Sequence, residues 1–240
     1  MASAPNSRSP GSRSWPRLLC ALEFERAVLE RHLPTGTIVE VCGPGAAGVH
    51  RWFEQRGDAT DAPRGVVLVG TAGGLSPELP AGAALVADRV VDTTDRTWTA
   101  TLPLPGRAPR GVVLTVATPS TTPEEKAALH RRFATAAAID LESAAFAEAC
   151  TARGWRWSVV RGISDAISDR LPRDVATWID DRGRLRTRSL MASLARSPRT
   201  LTLLPGLRRR SIAALQAAAR HLSAAVVEEG TVRSSVEPSP

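Results

Sequence analysis

Short apolar runs alternate along the chain with stretches whose apolar residues recur at helical spacing, and this pattern predicts alternating strands and helices between about residues 15 and 165. Residues 17–22 read as a first strand. Glu23-Phe24-Glu25 then opens a helix with Phe24, Val28, Leu29 and Leu33 on one face and Pro34 as its stop. Residues 37–42 form a second β-rich run that leads into Gly43-Pro44-Gly45-Ala46-Ala47-Gly48 and a helix through Val49, Trp52 and Phe53. Residues 65–69 are a fully apolar third strand ending in Gly70-Thr71-Ala72-Gly73-Gly74-Leu75. Residues 83–91 and 112–117 are the fourth and fifth strands, with Arg107 and Pro109 marking a loop between them. Thr122 as cap, Pro123 at the first position and Glu125 in the capping-box place start the next helix.

The stretch from 136 to 165 organises the rest. It reads as a strand over 136–141, a helix over 143–153 closed by Gly154, and a strand over 155–163 that ends in Ser164-Asp165. Carboxylates stand at both strand exits, and ligands of open α/β sheets bind beyond the carboxyl ends of strands. Two neighbouring strand ends would therefore present Glu142 and Asp165 to one crevice, where one acid could hold hydroxyls while the other transfers a proton. After Ala166 the pattern turns helical and basic. Leu171-Pro172 is a turn, 187–196 a helix broken by Ser197-Pro198, and 211–227 a helix with Ile212, Leu215, Ala219, Leu222 and Val226 on one face.

These elements predict one α/β domain, a three-layer αβα arrangement around a mixed, largely parallel sheet, over residues 15–228. Disordered tails are expected over 1–14, which is rich in Ser, Pro and Arg, and over 229–240. The 43% hydrophobic and 23% charged content of the 240 residues suits a single core. No apolar run reaches the roughly 18 residues that span a bilayer, and the N-terminus lacks a secretory apolar region, so a cytoplasmic protein is expected. Cys20, Cys42 and Cys150 are scattered in apolar surroundings, which indicates buried thiols and neither a disulfide framework nor a zinc site. The net charge of +7 would favour anionic partners, yet the Arg residues lie mostly in the tails and the last third, without interleaved aromatics or any Tyr. Nucleic acid is accordingly not an expected partner.

Bland readings stand beside the chemical ones. Glu142 could complement a helix dipole, Asp165 could be a turn or N-cap residue, and Glu25 could serve only a helix start. Arg161 reads as a structural partner for a nearby carboxylate. The glycines of 43–48 could supply only the positive φ of a tight turn, or their amides could cradle an anion or hydroxyl.

The ordered set Ala21-Leu22-Glu23-Phe24-Glu25, Gly43-Pro44-Gly45, Gly70-Thr71-Ala72-Gly73-Gly74-Leu75, Ile139-Asp140-Leu141-Glu142-Ser143 and Val160-Arg161-Gly162-Ile163-Ser164-Asp165 resembles the purine nucleoside phosphorylase and methylthioadenosine/S-adenosylhomocysteine nucleosidase superfamily over roughly residues 15–170. Within it the look is closest to the hopanoid-associated nucleoside phosphorylases, which act on adenosylhopane. The features are the Thr122-to-Leu129 helix start, the Leu171-Pro172 turn and the tail through Ser197-Pro198 and Leu203-Leu204-Pro205.

The resemblance implies a nucleoside phosphorylase-like fold and cleavage of a purine N-glycosidic bond, with inorganic phosphate as co-substrate and no metal or organic cofactor. Asp165 would protonate the departing base, Ser164 would orient it, and Glu142, beside Leu141, would hold the ribose hydroxyls. Glu25 aligns with the glutamate that activates water in hydrolytic members. Gly43, Gly45, Thr71 and Gly73 would line the nucleophile side, with Arg89 as the basic partner for phosphate. The resemblance further implies a small-molecule nucleoside as partner and a symmetric homo-oligomer. A lipid-linked nucleoside would make peripheral membrane contact by the basic C-terminal region useful. Two other readings remain: a hydrolase of methylthioadenosine or S-adenosylhomocysteine that uses Glu25 and water, and a non-catalytic nucleoside-binding protein on the same fold.

Overall fold

The computed structural model describes residues 16–56, 65–197 and 199–234, so the expected tail over 1–14 lies outside the described residues. Eight strands and six helices follow in the order β1 (Arg17–Cys20), α1 (Glu23–His32), β2 (Val39–Val41), α2 (Gly45–Glu54), β3 (Val66–Gly74), β4 (Ala84–Asp92), β5 (Thr97–Thr99), β6 (Arg110–Thr115), α3 (Pro123–Arg132), β7 (Ala136–Asp140), α4 (Ser143–Ala152), β8 (Trp157–Asp165), α5 (Thr187–Arg196) and α6 (Arg199–Ser234). A short 3-10 turn, Val175–Trp178, lies between β8 and α5.

The central strands are apolar at nearly every position because both faces of the sheet are covered. Val66, Leu68 and Val159 face a core shared with Trp52, Phe53, Phe146 and Trp157. Their neighbours Val67, Val69 and Val160 face a second core with Leu29, Leu215, Ala219 and Leu222. Helices α2 and α4 touch each other on the first side, and α1 and α6 on the second, which gives the three layers. Close approach of α6 to β8 depends on Gly162, where a Cβ would collide with the Ala214 carbonyl.

The sheet is mixed and largely parallel. Strands β1–β2, β1–β3, β3–β8, β4–β6 and β6–β7 pair in parallel, whereas β4–β5, β4–β8 and β3–β7 pair antiparallel. Strands β3, β8, β4, β6 and β7 thereby close into a ring. Strand β3 runs parallel to β8 as far as Gly73, and only Gly73 and Gly74 cross antiparallel onto Ile139 and Ala138 of β7.

Several boundaries differ from those read in the sequence. Strands β7 and β8 are not neighbours, because β3 lies between them. The third strand, expected to end at 69, runs on through Gly74, since each glycine there still pairs in the sheet. Helix α2 begins at Gly45, inside the expected turn. Strand β5 was not expected, being three residues at the edge of the sheet, paired with β4. Helix α6 starts at Arg199, runs through Pro205 and continues to Ser234, past the expected domain end at 228. Proline costs about 3 kcal/mol in a helix interior, so Pro205 reads as a breaker, yet contacts of α6 with α5, α1 and β8 hold the helix. No helix among the described residues is long and apolar enough to cross a membrane.

Candidate active site

A cavity of about 460 Å³ opens where β1, β3, β6, β7 and β8 end. Its walls are Ala21 and Leu22 after β1, Pro44 and Gly45 at the start of α2, Thr71 to Gly73 of β3, Val116 to Ser120 after β6, Ile139 to Glu142, and Ser164-Asp165. Leu171, Val175, Ala176 and Ile179 close it from the segment after β8. That segment is tied down at both ends: the Leu171 amide donates to the Thr121 carbonyl at 2.8 Å, and the Glu23 amide donates to the Gly183 carbonyl at 3.0 Å.

Glu25 is placed by the start of α1. One of its oxygens, Oε2, accepts from the amides of Ala21 and Leu22 at 3.1 and 3.2 Å, which makes Glu25 part of the helix cap. The other, Oε1, accepts from the Thr71 amide and hydroxyl, each at 2.7 Å. A carboxylate has about four acceptor positions, so all are filled, and only the Thr71 hydroxyl can rotate away.

Glu142 begins α4 yet makes no side-chain cap there. Asp140 and Thr115 take that task instead. The Ser143 amide donates to Asp140 Oδ1 at 3.3 Å and the Ala144 amide to Thr115 Oγ1 at 2.9 Å. The Glu142 carboxylate is left to face the cavity, with Oε1 accepting from the Gly45 amide at 2.8 Å and Oε2 within 3.3 Å of Arg161. The anion held by the glycine-rich start of α2 is thus the protein's own carboxylate. The Glu142 carboxyl is raised to about 7, mostly by burial, with Arg161 and the Gly45 amide acting against the rise and Asp140 and Glu25 adding to it.

Arg161 is fully buried behind these acids. It pairs with Asp140 and Glu142, and burial, which acts against its charge, is outweighed by Asp140, Glu142 and Glu25, which hold the guanidinium above its ordinary range. Arg161 Nη1 and both Glu25 oxygens crowd Gly70. A Cβ built there would sit 2.8 Å from Nη1 and 2.9 Å from each oxygen. The close approach at this glycine is made by internal charged groups. Gly70→Ala is expected to lower stability by about 1–3 kcal/mol and to displace Glu25, as read by thermal melting.

Asp165 ends β8. Its Oδ1 accepts from Ser164 Oγ at 2.5 Å, and its Oδ2 pairs with the buried Lys126 of α3. The turn that follows is held by Asp169, whose carboxylate accepts from the Ala166 amide at 2.8 Å, so Asp165 is free of that duty. Gly73 gives it room, since a Cβ there would lie 3.1 Å from Oδ2.

Asp165, Ser164, Glu25, Glu142, Leu141, Thr71, Gly73 and Gly45 therefore share one cavity. Two expected members do not. Arg89 is exposed on β4, with its backbone paired between Thr99 of β5 and Val112 of β6, so it cannot meet a phosphate in the cavity. Gly43 sits behind the wall, where a Cβ would strike the Asp181 carbonyl; its φ of +91° serves the turn into α2. Sequence reasoning left out Lys126, whose Pro123-Glu124-Glu125-Lys126 setting reads as a solvated helix start, and left Asp140 without a role. Among the described residues no group of His, Cys, Asp and Glu could hold a metal ion.

A model of the phosphorylase superfamily matches residues 99–196. No curated protein sequence matches the chain. Among solved structures, the methylthioadenosine/S-adenosylhomocysteine nucleosidase of Colwellia psychrerythraea in complex with adenine is 18% identical, with a TM-score of 0.57 over 87% of this chain and 95% of that one. The corresponding Helicobacter pylori nucleosidase with butyl-thio-DADMe-Immucillin-A is 16% identical, with a TM-score of 0.62 over 89% and 99%. Futalosine hydrolase of Helicobacter pylori is 18% identical, with a TM-score of 0.59 over 90% and 98%. None of these is a hopanoid-associated phosphorylase.

Proposed function

From a chain that has the nucleoside phosphorylase-like fold and matches the phosphorylase superfamily over residues 99–196, we propose a hydrolase that cleaves the N-glycosidic bond of a purine nucleoside. One observation carries this reading: Glu25, Glu142 and Asp165 line a single cavity whose described lining residues include no Lys, Arg or His. Breaking the bond builds positive charge on the ribose and negative charge on the base. Acids on the sugar side and a proton donor on the base side stabilise that transition state more than the ground state.

Each residue then has a role. Ionised Glu142 accepts hydrogen bonds from the ribose hydroxyls, and its charge offsets the developing oxocarbenium. Asp165, held by Ser164, donates a proton to the base nitrogen. Water takes the position vacated when the Thr71 hydroxyl turns from Glu25, and Glu25 accepts its proton. A phosphate dianion at the same corner would face two carboxylates without a cationic side chain to bind it, which favours water over the phosphorolytic reading that the sequence resemblance suggests.

Chromatography of reactions with a panel of 5′-substituted adenosines, including one with a large apolar group, tests the proposal. Free adenine and free sugar are expected at equal rates with and without phosphate. Phosphate-dependent release with a sugar 1-phosphate product would restore phosphorolysis, and binding without any base release would leave a non-catalytic nucleoside-binding protein.

A further inference from the structure

Lys126 is 1% exposed and lies on the buried side of α3, behind Asp165 rather than in the cavity wall. Its ammonium has two acceptors, Asp165 Oδ2 and the Ala166 carbonyl, the latter at 2.6 Å. The capping box of Thr122 and Glu125 fixes the first turn of α3, with the Glu125 amide donating to Thr122 Oγ1 at 3.2 Å and Glu125 Oε2 accepting from the Thr121 amide at 2.7 Å. Taking a lysine out of water is costly, and a buried pair of this kind is weak evidence for a stabilising role alone. A departing purine needs a proton, and Lys126 is the proton-bearing cation in contact with Asp165, on the side away from the cavity.

We propose that Lys126 is the proton source for Asp165, a positioning residue that acts on the base only through that carboxylate; this rests on the nucleosidase reading above. As the bond from the anomeric carbon to the base nitrogen breaks, its electron pair goes to the base. Lys126 Nζ passes a proton to Asp165 Oδ2, becoming a neutral amine, and the Asp165 carboxyl gives a proton to the nitrogen, ending as a carboxylate. The oxygen of water bonds to the anomeric carbon and its proton goes to Glu25. After the products leave, Glu25 releases that proton to solvent and Lys126 regains one, so the cycle balances.

The experiment compares two leaving groups. Adenine needs a proton as it departs, whereas the nitrophenolate of 4-nitrophenyl riboside leaves as a stable anion. For Lys126→Met the ratio of adenosine to nitrophenyl riboside turnover is expected to fall on the order of 100-fold. Lys126→Arg keeps the positive charge but does not deprotonate, so it should fail to restore the ratio even if Lys126→Met folds poorly. Equal losses on both substrates, an unchanged ratio, or full rescue by Arg would each overturn the relay and leave a fixed structural charge. If the unaltered protein releases neither adenine nor nitrophenolate, the nucleosidase reading itself fails, which is a distinct outcome.

Discussion

Asp165→Asn is expected to lower kcat for purine release by about 10²- to 10⁴-fold, the range of a positioned general acid. Asparagine keeps the shape of the side chain, and its oxygen can still accept a hydrogen bond from Ser164 or Lys126. What it lacks is the ionisable oxygen through which a proton would pass to the base. The substitution also leaves the Lys126 ammonium buried without a countercharge. Removing one partner of a buried pair costs about 3–5 kcal/mol when the remaining charge is not relieved. Stability should therefore fall with activity, and denaturant titration separates the two effects. If Asp165→Asn folds and retains near-normal kcat, Asp165 is not the acid.

The second large effect is a pH dependence set by Glu142. Its carboxyl is pushed up to about 7, mainly by burial. Below that pH it is neutral, and on the proposed hydrolase reading it would then lose an acceptor for a ribose hydroxyl and the charge that offsets the oxocarbenium. The expected result is a kcat/KM that falls about tenfold per pH unit below 7, because this ratio reports ionisation of the free enzyme. Glu142→Gln should lower kcat/KM at pH 8 by on the order of 10²-fold and abolish the acidic limb. A limb that persists in Glu142→Gln would assign the ionisation to another group.

Stability should move in the opposite direction to activity. A carboxyl raised in the fold above its ordinary value of 4.5 binds a proton that the unfolded chain has released. Its contribution is fully present below pH 4.5 and is lost as the pH rises through 7. Glu142→Gln carries no such ionisation, so it should lose less stability than the unaltered protein between pH 5 and pH 8, as read by chemical denaturation.

Much of this site was legible because its residues sit at places that local rules mark. Glu25 stands at the third position of a helix, Glu142 at the start of another and Asp165 at the end of an apolar strand. Each is a signal of period and punctuation that needs no tertiary information. The same rules misjudged residues whose neighbours are remote in the chain. Arg89 lies near the end of its strand like the acids, but at a position that points it to solvent. Lys126 sits in a polar helix start, and only the arrival of Asp165 from β8 makes it an internal cation. Gly70 lies just past the expected end of its strand, whereas it pairs within β3 and is the space into which Arg161 and Glu25 fit.

The sequence by itself determined the order of strands and helices from β1 to β8 apart from the short β5, the cap of α3, and the presence of acids at strand ends, since these depend on contacts within a few residues. Tertiary structure alone decided that β3 passes between β7 and β8, that α2 lends a backbone amide to Glu142, that Lys126 stands behind Asp165, and that the carboxylates Arg161 partners are Asp140 and Glu142. Those contacts join positions many residues apart. They form because closing the strand ring and burying both faces of the sheet bring charges together that each require a partner once water is removed.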